Sequence, residues 1–503
     1  LAITLPRAGN LGGGGFMMIY LKEREEIFAI DYRGQASAST NLDELFNTDP
    51  SRDYANTNFE VVEYGYKAST VPGTVSGLLQ AHKNFGKLPL VEVLKPVIRQ
   101  AEEGIKVSYD LEQAIGSSSQ LKKDPESRRI YFNDGSPIKE GSLMQRPDLA
   151  KTLSLIADKG SKAFYEGEIA KKFVLAMESN QGLITGDDLK NYKSRFSTPI
   201  GINYRGQKVF THGPPSGGGI VLLTALNILK NFDLKKHGSN SSTTYHLLAE
   251  ALRRGHNNRS HHVGDPSFYK TPIENFLSTE RTKQLAKNIN FKKATPSSAV
   301  KPLKVRNESK DTTHYSIIDE EGNSISNTYT LGSSFGSGVT IPGTGILMNN
   351  QMNNFAYRYG DKSIKGRAAS PGNRFEPGKR PMSTMAPTII FDKNDNLSLI
   401  TGSPGGSFIP ATILRVVTGV IDFDLNIGES TMLPRLHKDW PYSGLDHEST
   451  FSQDVLKVLD RLGHKPELSK TMGSTQSIHI VDGSNQGYAD LRRPNAGVAI
   501  QND

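Results

Sequence analysis

Apolar residues recur along this chain with spacings that predict a mixture of helices and strands. Helical spacing is found at 149–157 and again at 247–252. Residues 185–188 (Thr-Gly-Asp-Asp) carry a capping-box sequence, which predicts the start of a short helix. The glycine- and proline-rich loop 213–219 precedes an apolar run, 220–229, and this order predicts a loop that leads into a buried helix.

The texture of the chain changes after a polar stretch, 301–311, which predicts an exposed loop. Short apolar runs separated by polar turns follow it and predict hairpins. The predicted strands in this part are 315–319, 324–331, 388–391, 397–401 and 476–481. We therefore expect two regions: residues 1–311, mixed in helix and sheet, and residues 312–503, rich in strands.

The beginning of the chain is strand-like at 1–5 and 16–20, with the glycine run 12–15 between them. The run lacks the G-x-G-x-x-G spacing and the following helix of a phosphate-binding turn. Close packing of backbones is the better interpretation of these glycines. Because the chain opens at Leu1 in a strand-like segment without a signal sequence, we expect an N-terminal segment to be missing.

Composition excludes several classes of function. The 503 residues are 36% hydrophobic and 22% charged, as in globular proteins, and no apolar run is long enough to span a bilayer. The formal net charge is +8, and the basic residues do not form long runs, so no nucleic-acid partner is expected. The absence of cysteine excludes thiolate metal sites and cysteine nucleophiles.

Motifs for metal, serine and phosphate chemistry are also missing. The sequence contains no G-x-S-x-G, no H-E-x-x-H and no Walker loop. The one histidine cluster, His256, His261 and His262, could suggest a metal site, but adjacent histidines on a helix end point in different directions. We expect a solvated helix end there, and neither a metal nor a cofactor.

The most informative junction is between Asp311 and Thr312, where the polar loop meets a predicted strand. If this bond is cut, Thr312 gains a free α-amine that can act as the base for its own hydroxyl. The alternative is simply a pair of threonines at the start of a strand. With the hairpin turn centred near Glu321, Thr312 faces Thr330 across the ladder, within reach of a hydroxyl–hydroxyl contact.

A second candidate element is the turn 401–407, which contains Gly405 and Gly406. It follows a predicted strand and precedes apolar residues at helical spacing, so its N–H groups would lie at the positive end of a helix. Such groups stabilise a developing oxyanion by about 2.7–4 kcal/mol per donor. A tight strand-to-helix turn with no catalytic role is the alternative.

Taken together, these segments resemble the γ-glutamyltransferases (γ-glutamyl transpeptidases, glutathione hydrolases), a family of N-terminal-nucleophile hydrolases. The resemblance covers nearly the whole chain, and its motifs occur in the family's order and spacing. The matching segments are 9–16, 312–316, 345–351, 379–384, 402–406, 472–476 and 490–493.

The resemblance implies an α+β fold, a four-layer αββα sandwich, made as a proenzyme that cuts itself before Thr312. The products would be a large subunit, residues 1–311, and a small subunit, residues 312–503, which remain partners in one intertwined fold. The other partners would be a γ-glutamyl donor, such as glutathione, and an amino-acid or peptide acceptor. No cofactor is implied, and export to the periplasm or the exterior is expected from the family.

The resemblance also implies roles for individual residues. Thr312 would attack the γ-carbonyl of the donor, and Thr330 would lie beside it. Arg33 would bind the donor's α-carboxylate together with Ser383 and Thr384, and Gly405 and Gly406 would form the oxyanion hole. Gln351 and Asn354 fall in the motif that meets the donor's α-amine.

Two positions depart from the family's usual pattern. Gly332 stands where the family usually carries Asn, and Asn353-Asn354-Phe355 replaces Asp-Asp-Phe. The replaced acid pairs with the donor's α-ammonium, so losing it costs on the order of 1–3 kcal/mol in discrimination. This opens two alternatives with the same chemistry, an acylase for glutaryl amides and a depolymerase of poly-γ-glutamate. A third is an inactive, unprocessed binding homologue.

Between the motifs, residues 356–372 form a long glycine-rich segment without apolar periodicity. Segments of this kind in compact domains are usually functional covers. We expect a lid over the donor pocket.

Overall fold

The computed structural model describes residues 1–9, 11–46, 59–296, 312–357, 370–440, 442–494 and 496–501. The predicted loop 301–311, including Asp311, and residues 358–369 of the predicted lid lie outside the described residues.

The strands of the described residues include long ones that build two sheets and short ones that pair locally. In chain order they are β1 (Gly14–Leu21), β2 (Glu26–Tyr32), β3 (Ile105–Lys106), β4 (Phe132–Asn133), β5 (Ser136–Pro137), β6 (Leu143–Met144), β7 (Arg195–Ser197), β8 (Ile200–Tyr204), β9 (Gln207–Thr211), β10 (Thr313–Ile318), β11 (Ser324–Thr330), β12 (Thr340–Ile341), β13 (Ile346–Leu347), β14 (Thr388–Phe391), β15 (Leu397–Thr401), β16 (Leu436–His437), β17 (Leu445–His447), β18 (Pro466–Leu468), β19 (Gln476–Val481) and β20 (Ser484–Ala489).

The helices lie mostly before residue 300, with a second group near the C-terminus. In chain order they are α1 (Leu42–Phe46), α2 (Thr74–Phe85), α3 (Leu90–Glu103), α4 (Tyr109–Gly116), α5 (Ser119–Lys123), α6 (Pro125–Tyr131), α7 (Pro147–Lys159), α8 (Ser161–Tyr165), α9 (Glu168–Ser179), α10 (Gly186–Asn191), α11 (Gly217–Leu229), α12 (Ser242–His262), α13 (Ile273–Leu277), α14 (Thr279–Lys287), α15 (Ile409–Phe423), α16 (Ile427–Met432) and α17 (Gln453–Arg461).

The first sheet has the strand order β10-β11-β1-β2-β7. Strand β1 lies antiparallel between β11 and β2, so that Phe16 faces Thr328 on one side and Asp31 on the other. In the β10–β11 hairpin, Thr313 pairs with Tyr329, which is the predicted register. Strands from both sides of residue 311 therefore belong to one sheet.

The second sheet has the order β20-β19-β15-β14-β9-β8. Ile389 in β14 lies between Phe210 of β9 and Ile400 of β15. Apolar residues of the two sheets pack together, because Met18 and Tyr20 share a buried cluster with Ile389 and Ile400. Burial of each such side chain contributes about 1.5–3 kcal/mol.

Helices cover the remaining faces of both sheets. Met17 and Ile30 of the first sheet pack with Leu78 and Phe85 of α2. Residues of β14 and β15 in the second sheet form a large cluster with α11, α12 and α15. The continuous apolar run of β1 explains this division, since successive side chains of a strand point to opposite faces and both faces are buried here.

Several local predictions are confirmed. The Thr185 side chain accepts from the Asp188 N–H, and the Asp188 carboxylate accepts from the Thr185 N–H, which completes the capping box at α10. Helix α11 is capped by Ser216 and is buried along its whole length. The carbonyl oxygens of Leu347 and Thr330 lie so close to Gly12 and Gly13 that neither site could hold a Cβ, which agrees with close backbone packing.

The strand predicted at residues 1–5 is wrong. These residues form turns, with the Leu5 N–H donating to the Leu1 carbonyl at 2.8 Å. Pro6 follows at once, and proline has no N–H with which to extend a ladder. Of the apolar residues in 1–5, Ile3 alone is fully buried, in a core cluster formed mainly by helix residues.

One described segment, Gly406–Phe423, is long and apolar enough to cross a membrane by length and composition. Within the fold, 83% of it is buried. Its apolar residues pack on the second sheet as a core helix does.

Candidate active site

Thr312 lies directly before strand β10 and opposite the end of β11. Its Oγ1 is 3.4 Å from Thr330 Oγ1, and the two residues are 4% and 5% exposed. The Gly332 N–H donates to Thr330 Oγ1 at 2.9 Å. Because that N–H fixes the Thr330 hydroxyl, Thr330 presents an oriented acceptor to Thr312.

A contact from the C-terminal part of the chain reaches the same residue. Arg493 Nη1 donates to the Thr312 carbonyl oxygen at 3.1 Å. In the sequence, Arg493 stands only at the end of a matching motif, and no role was predicted for it. Its position 181 residues downstream explains why local patterns do not reveal the contact.

The turn with Gly405 and Gly406 joins β15 to α15 through a short 3₁₀ helix, Gly406–Phe408. Gly405 has φ 134°, a conformation that only glycine adopts readily. A Cβ at Gly405 would approach Gly473 Cα to 3.1 Å. Among the described residues, neither glycine's N–H donates a backbone hydrogen bond, and both stand just before the N-terminus of α15.

Arg33 follows directly after β2 and is 2% exposed. Its Nε donates to the Pro381 carbonyl at 3.3 Å, and its Nη2 donates to Asn354 Oδ1 at 2.6 Å. The guanidinium is therefore held between two segments that are more than 300 residues away in sequence. These contacts fix the direction of the side chain.

Ser383 and Thr384 lie next to the glycine turn. Ser383 Oγ accepts from the Met385 N–H at 3.2 Å, and Thr384 Oγ1 donates to the Gly406 carbonyl at 2.8 Å. The second bond connects this hydroxyl pair to the turn that precedes α15.

Most of the residues singled out from the sequence line one pocket. Those that do are Arg33, Thr312, Thr330, Asn354, Ser383, Thr384 and Gly406, together with Gly332. Gly405, which directly precedes Gly406, is not part of the lining, and neither is Gln351. The hydroxyl of Thr312, a buried cation and the glycine turn thus open onto the same space.

Gln351 is fully buried and connects two walls of the pocket. Its Oε1 accepts from the Gly34 N–H at 3.1 Å, and its Nε2 donates to the Thr330 carbonyl at 2.9 Å. Both ends of the amide are used within the protein. Gln351 therefore links Gly34, the residue after Arg33, to Thr330.

The departure at position 332 has a structural counterpart in Asn350. Gly332 has φ 106°, and a Cβ there would lie 2.1 Å from Asn350 Oδ1. That oxygen accepts from the Ser333 N–H at 2.8 Å. A larger residue at 332 would have to displace the Asn350 side chain.

The electrostatics of the pocket are one-sided. Among its described lining residues, Arg33 is the only side chain charged at neutral pH, and none is a carboxylate. Asn354 presents its oxygen to Arg33, so its NH₂ group remains to face other partners. Nearby, burial lowers the pKa of His314 to about 3, which keeps this ring neutral.

The solvated helix end predicted for the histidine cluster is confirmed at His262, which is exposed at the end of α12, but is wrong for His256. His256 is fully buried, and its Nδ1 lies 3.3 Å from Asp439 Oδ1. The prediction missed this because α12 is covered by a segment from beyond residue 430. Within the described ranges, no group of His, Asp and Glu side chains has the arrangement of a metal site.

Comparison with known proteins gives consistent matches. The family model for gamma-glutamyltranspeptidase matches residues 1–500. The chain is 40% identical to a glutathione hydrolase proenzyme of Escherichia coli over 98% of this chain and 84% of that protein. It is 32% identical to an acylase ACY 1 proenzyme of a Pseudomonas species over 99% of this chain and 87% of that protein. The solved structure of a cephalosporin acylase from Bacillus halodurans covers all of this chain and 90% of its own, with a TM-score of 0.86 and 26% identity.

Proposed function

The chain belongs to the gamma-glutamyltranspeptidase family, and on that premise we propose that it cleaves γ-glutamyl amides such as glutathione through an acyl-enzyme on Thr312. The observation that carries this proposal is the shared pocket of Thr312, Arg33 and Gly406. It combines a hydroxyl nucleophile, a cation for a carboxylate and a turn with free N–H donors.

Maturation is the first step of the proposal. The Thr312 hydroxyl attacks the carbonyl of Asp311, and the C–N bond between the two residues breaks, which frees the Thr312 α-amine and leaves an ester on its oxygen. Hydrolysis of this ester then frees the Thr312 hydroxyl and the carboxylate of Asp311. The products are the large subunit, residues 1–311, and the small subunit, residues 312–503. The pairing of β11 with β1 supports a matured protein in which the two subunits share one sheet.

In turnover, Thr312 Oγ attacks the donor's γ-carbonyl while the α-amine takes the hydroxyl proton. The N–H groups of Gly405 and Gly406 stabilise the oxyanion. The C–N bond then breaks, and the leaving amine takes the proton from the α-ammonium. Water or an acceptor amine attacks the ester by the reverse sequence, which releases the acid or a new amide.

We further propose that Arg33, Ser383 and Thr384, here called the carboxylate clamp, bind the donor's α-carboxylate. A guanidinium suits this task because its N–H groups match a carboxylate in a bidentate fork. The hydrogen bond from Thr384 to the Gly406 carbonyl supports a link between donor binding and the oxyanion turn.

A second candidate is an acylase for glutaryl amides, or a depolymerase that cuts poly-γ-glutamate between internal residues. The lack of a carboxylate in the described lining favours it, because a buried α-ammonium would find no counter-charge. Neither donor type carries a free α-ammonium. The acylase among the relatives adds support.

The direct test compares γ-glutamyl, glutaryl and poly-γ-glutamyl amides as donors for the purified protein. Turnover that is best with γ-glutamyl amides supports the first candidate, and a preference for the others supports the second. An inactive binding homologue remains the third possibility. A single uncleaved band on a denaturing gel, with no turnover of any donor, would favour it.

Packing between the two sheets, and of helices on their outer faces, supports a four-layer αββα sandwich. A periplasmic or extracellular location is inferred from the family resemblance. The proposed reaction needs no cofactor, since Thr312 provides both the nucleophile and the base.

A further inference from the structure

The carboxylate clamp combines two distant segments of the chain. Arg33 follows β2, whereas Ser383 and Thr384 belong to the segment that begins at Lys379. A carboxylate binds both sides at once only if the two segments keep a fixed distance. At the junction between them lies a cluster of charged residues, which consists of the buried Asp31, Asp265 and Arg380 and the half-buried Arg195.

Asp31 contacts Arg33 of the clamp and also Arg380, which precedes the other two clamp residues. Its Oδ1 accepts from the Arg33 backbone N–H at 2.9 Å, and its Oδ2 lies 2.9 Å from Arg380 Nη1. The side chain is 1% exposed. Arg380 lies only three residues before Ser383, so this carboxylate joins the start of one side to the start of the other.

Asp265 completes the junction from a third segment. Its Oδ2 accepts from the Arg380 backbone N–H at 2.9 Å, and its Oδ1 accepts from Arg195 Nη2 at 2.6 Å. Arg195 Nε in turn donates to Asp31 Oδ2 at 2.9 Å. The two carboxylates therefore hold Arg380 by its backbone and by its side chain.

Tyr192 supports the same arrangement. Its hydroxyl donates to the Arg33 carbonyl at 2.8 Å, and the Arg380 guanidinium lies 5.3 Å from its ring centroid. Burial raises the pKa of Asp31, but the charges of Arg380 and Arg195 outweigh it and lower the pKa below its usual value. Asp31 is therefore ionised in the folded protein at neutral pH.

We infer that Asp31 and Asp265 are positioning residues that set the spacing between Arg33 and the Ser383–Thr384 pair, and thereby the affinity for a donor's carboxylate. This inference rests on the proposed function, because it assigns the clamp to the donor. Neither carboxylate lines the pocket. Their effect therefore reaches the substrate only through the residues that they hold.

The junction should affect binding of the donor, measured by KM, and not turnover, measured by kcat. Loss of the junction should weaken binding of the donor's carboxylate, while Thr312 and the glycine turn keep their geometry. KM for carboxylate-bearing donors should rise, with kcat little changed. A donor without a carboxylate should not respond, because it has no interaction with the clamp to lose.

The test uses Asp31→Asn, which keeps the shape but removes the charge, and Arg380→Lys, which keeps the charge but removes the fork. The matched control is Asp422→Asn, since Asp422 is also a buried carboxylate paired with an arginine, Arg205, but lies at the end of α15. Glutaryl and butyryl p-nitroanilides serve as donors, because they differ in the terminal carboxylate alone. Appearance of two subunits on a denaturing gel reports folding and an intact nucleophile.

We expect processed Asp31→Asn to raise KM for the glutaryl amide at least tenfold, with kcat within threefold. Its kcat/KM for the butyryl amide should stay within twofold, as should all values for Asp422→Asn. Equal losses on both donors, or an unchanged KM, would overturn the inference. If Asp31→Asn is not processed, Arg380→Lys decides by the same criteria, and wild-type protein that neither processes nor turns over either donor would refute the proposed function instead.

Discussion

Thr312 Oγ1 lies 3.4 Å from Thr330 Oγ1, across the open end of a hairpin whose register aligns the two residues. In this geometry Thr312 donates and Thr330 accepts, with the Gly332 N–H holding the acceptor. The contact holds the Thr312 side chain in one orientation, and this fixes the position of Oγ1 relative to the α-amine that takes its proton.

Replacing Thr330 by Val removes the hydroxyl at nearly constant shape. A neutral hydrogen bond contributes about 0.5–1.5 kcal/mol, so kcat should fall about 3- to 10-fold with little change in donor KM. Thr330→Ser should restore most of the rate. Steady-state kinetics with a γ-glutamyl anilide measures both, and a serine variant as slow as the valine variant would refute the orienting role.

The glycine turn gives a prediction about the oxyanion. A Cβ at Gly405 would approach Gly473 Cα to 3.1 Å in a backbone conformation with φ 134°. Gly405→Ala should therefore move the N–H donors and lower kcat by tenfold or more, while donor KM changes little. Gly483→Ala, at an exposed hairpin with nothing near its Cβ, is the matched control. A rise in donor KM with unchanged kcat would instead mean that Gly405 contributes to binding and not to catalysis.

Asn354 tests the preference between donors. Asn354→Asp supplies the missing carboxylate, which attracts the α-ammonium of a γ-glutamyl donor and meets no cation in a glutaryl donor. The ratio of kcat/KM for γ-glutamyl over glutaryl amides should rise tenfold or more, equivalent to about 1.4 kcal/mol. Asn353→Asp changes the neighbouring lining residue by the same charge and should have a smaller effect. An unchanged ratio would mean that Asn354 does not contact the amine.

Acid should destabilise the fold through a buried histidine pair. His246 Nδ1 and His464 Nε2 lie 2.7 Å apart, and His246 Nε2 faces the Asn290 carbonyl at 3.0 Å. With the His246 Nε2–H donating to the Asn290 carbonyl, His246 Nδ1 can accept from the His464 Nε2–H, so this network is complete with both rings neutral. Burial, helped by the neighbouring His246, lowers the pKa of His464 to about 3.

The lowered pKa of His464 should make the free energy of unfolding depend on pH. Between the unfolded pKa of about 6.5 and the folded value of about 3, the unfolded chain binds a proton that the folded protein excludes. The free energy of unfolding should then fall by about 1.4 kcal/mol per pH unit as the pH drops below 6.5. Urea unfolding at pH 7 and pH 5 measures this slope. His464→Gln should reduce the slope, and an unchanged slope in the variant would exclude this pair as its source.

Local patterns predicted elements where the causes are local. The capping box at Thr185 and the apolar helix after Ser216 follow from residues within a few positions of one another. The Thr312–Thr330 contact was also predictable, because a hairpin's register follows from the centre of its turn. The strand predicted at residues 1–5 is wrong because Ile3 is buried by contacts with helix residues far along the chain, and a local pattern does not reveal such contacts.

Other features depend on contacts between remote segments and leave no mark in the sequence. Gln351 falls in the motif expected to meet the donor's α-amine, but in the structure its amide hydrogen-bonds to the Gly34 N–H and the Thr330 carbonyl. His256 was predicted at a solvated helix end, but it is buried beside Asp439, which lies more than 180 residues further along the chain. The lid at 356–372 stays a prediction, because residues 358–369 lie outside the described part of the chain.

The central claim is that Thr312 is both the agent of self-cleavage and the acylated nucleophile. Intact mass and N-terminal sequencing of the purified protein test it most directly. We expect two chains, residues 1–311 and 312–503, the second beginning with Thr312. Thr312→Ala should remain one inactive chain, whereas Thr313→Ala, one residue further along β10, should still cleave. A single chain that turns over γ-glutamyl or glutaryl amides, or cleavage of this bond in Thr312→Ala, would contradict the account.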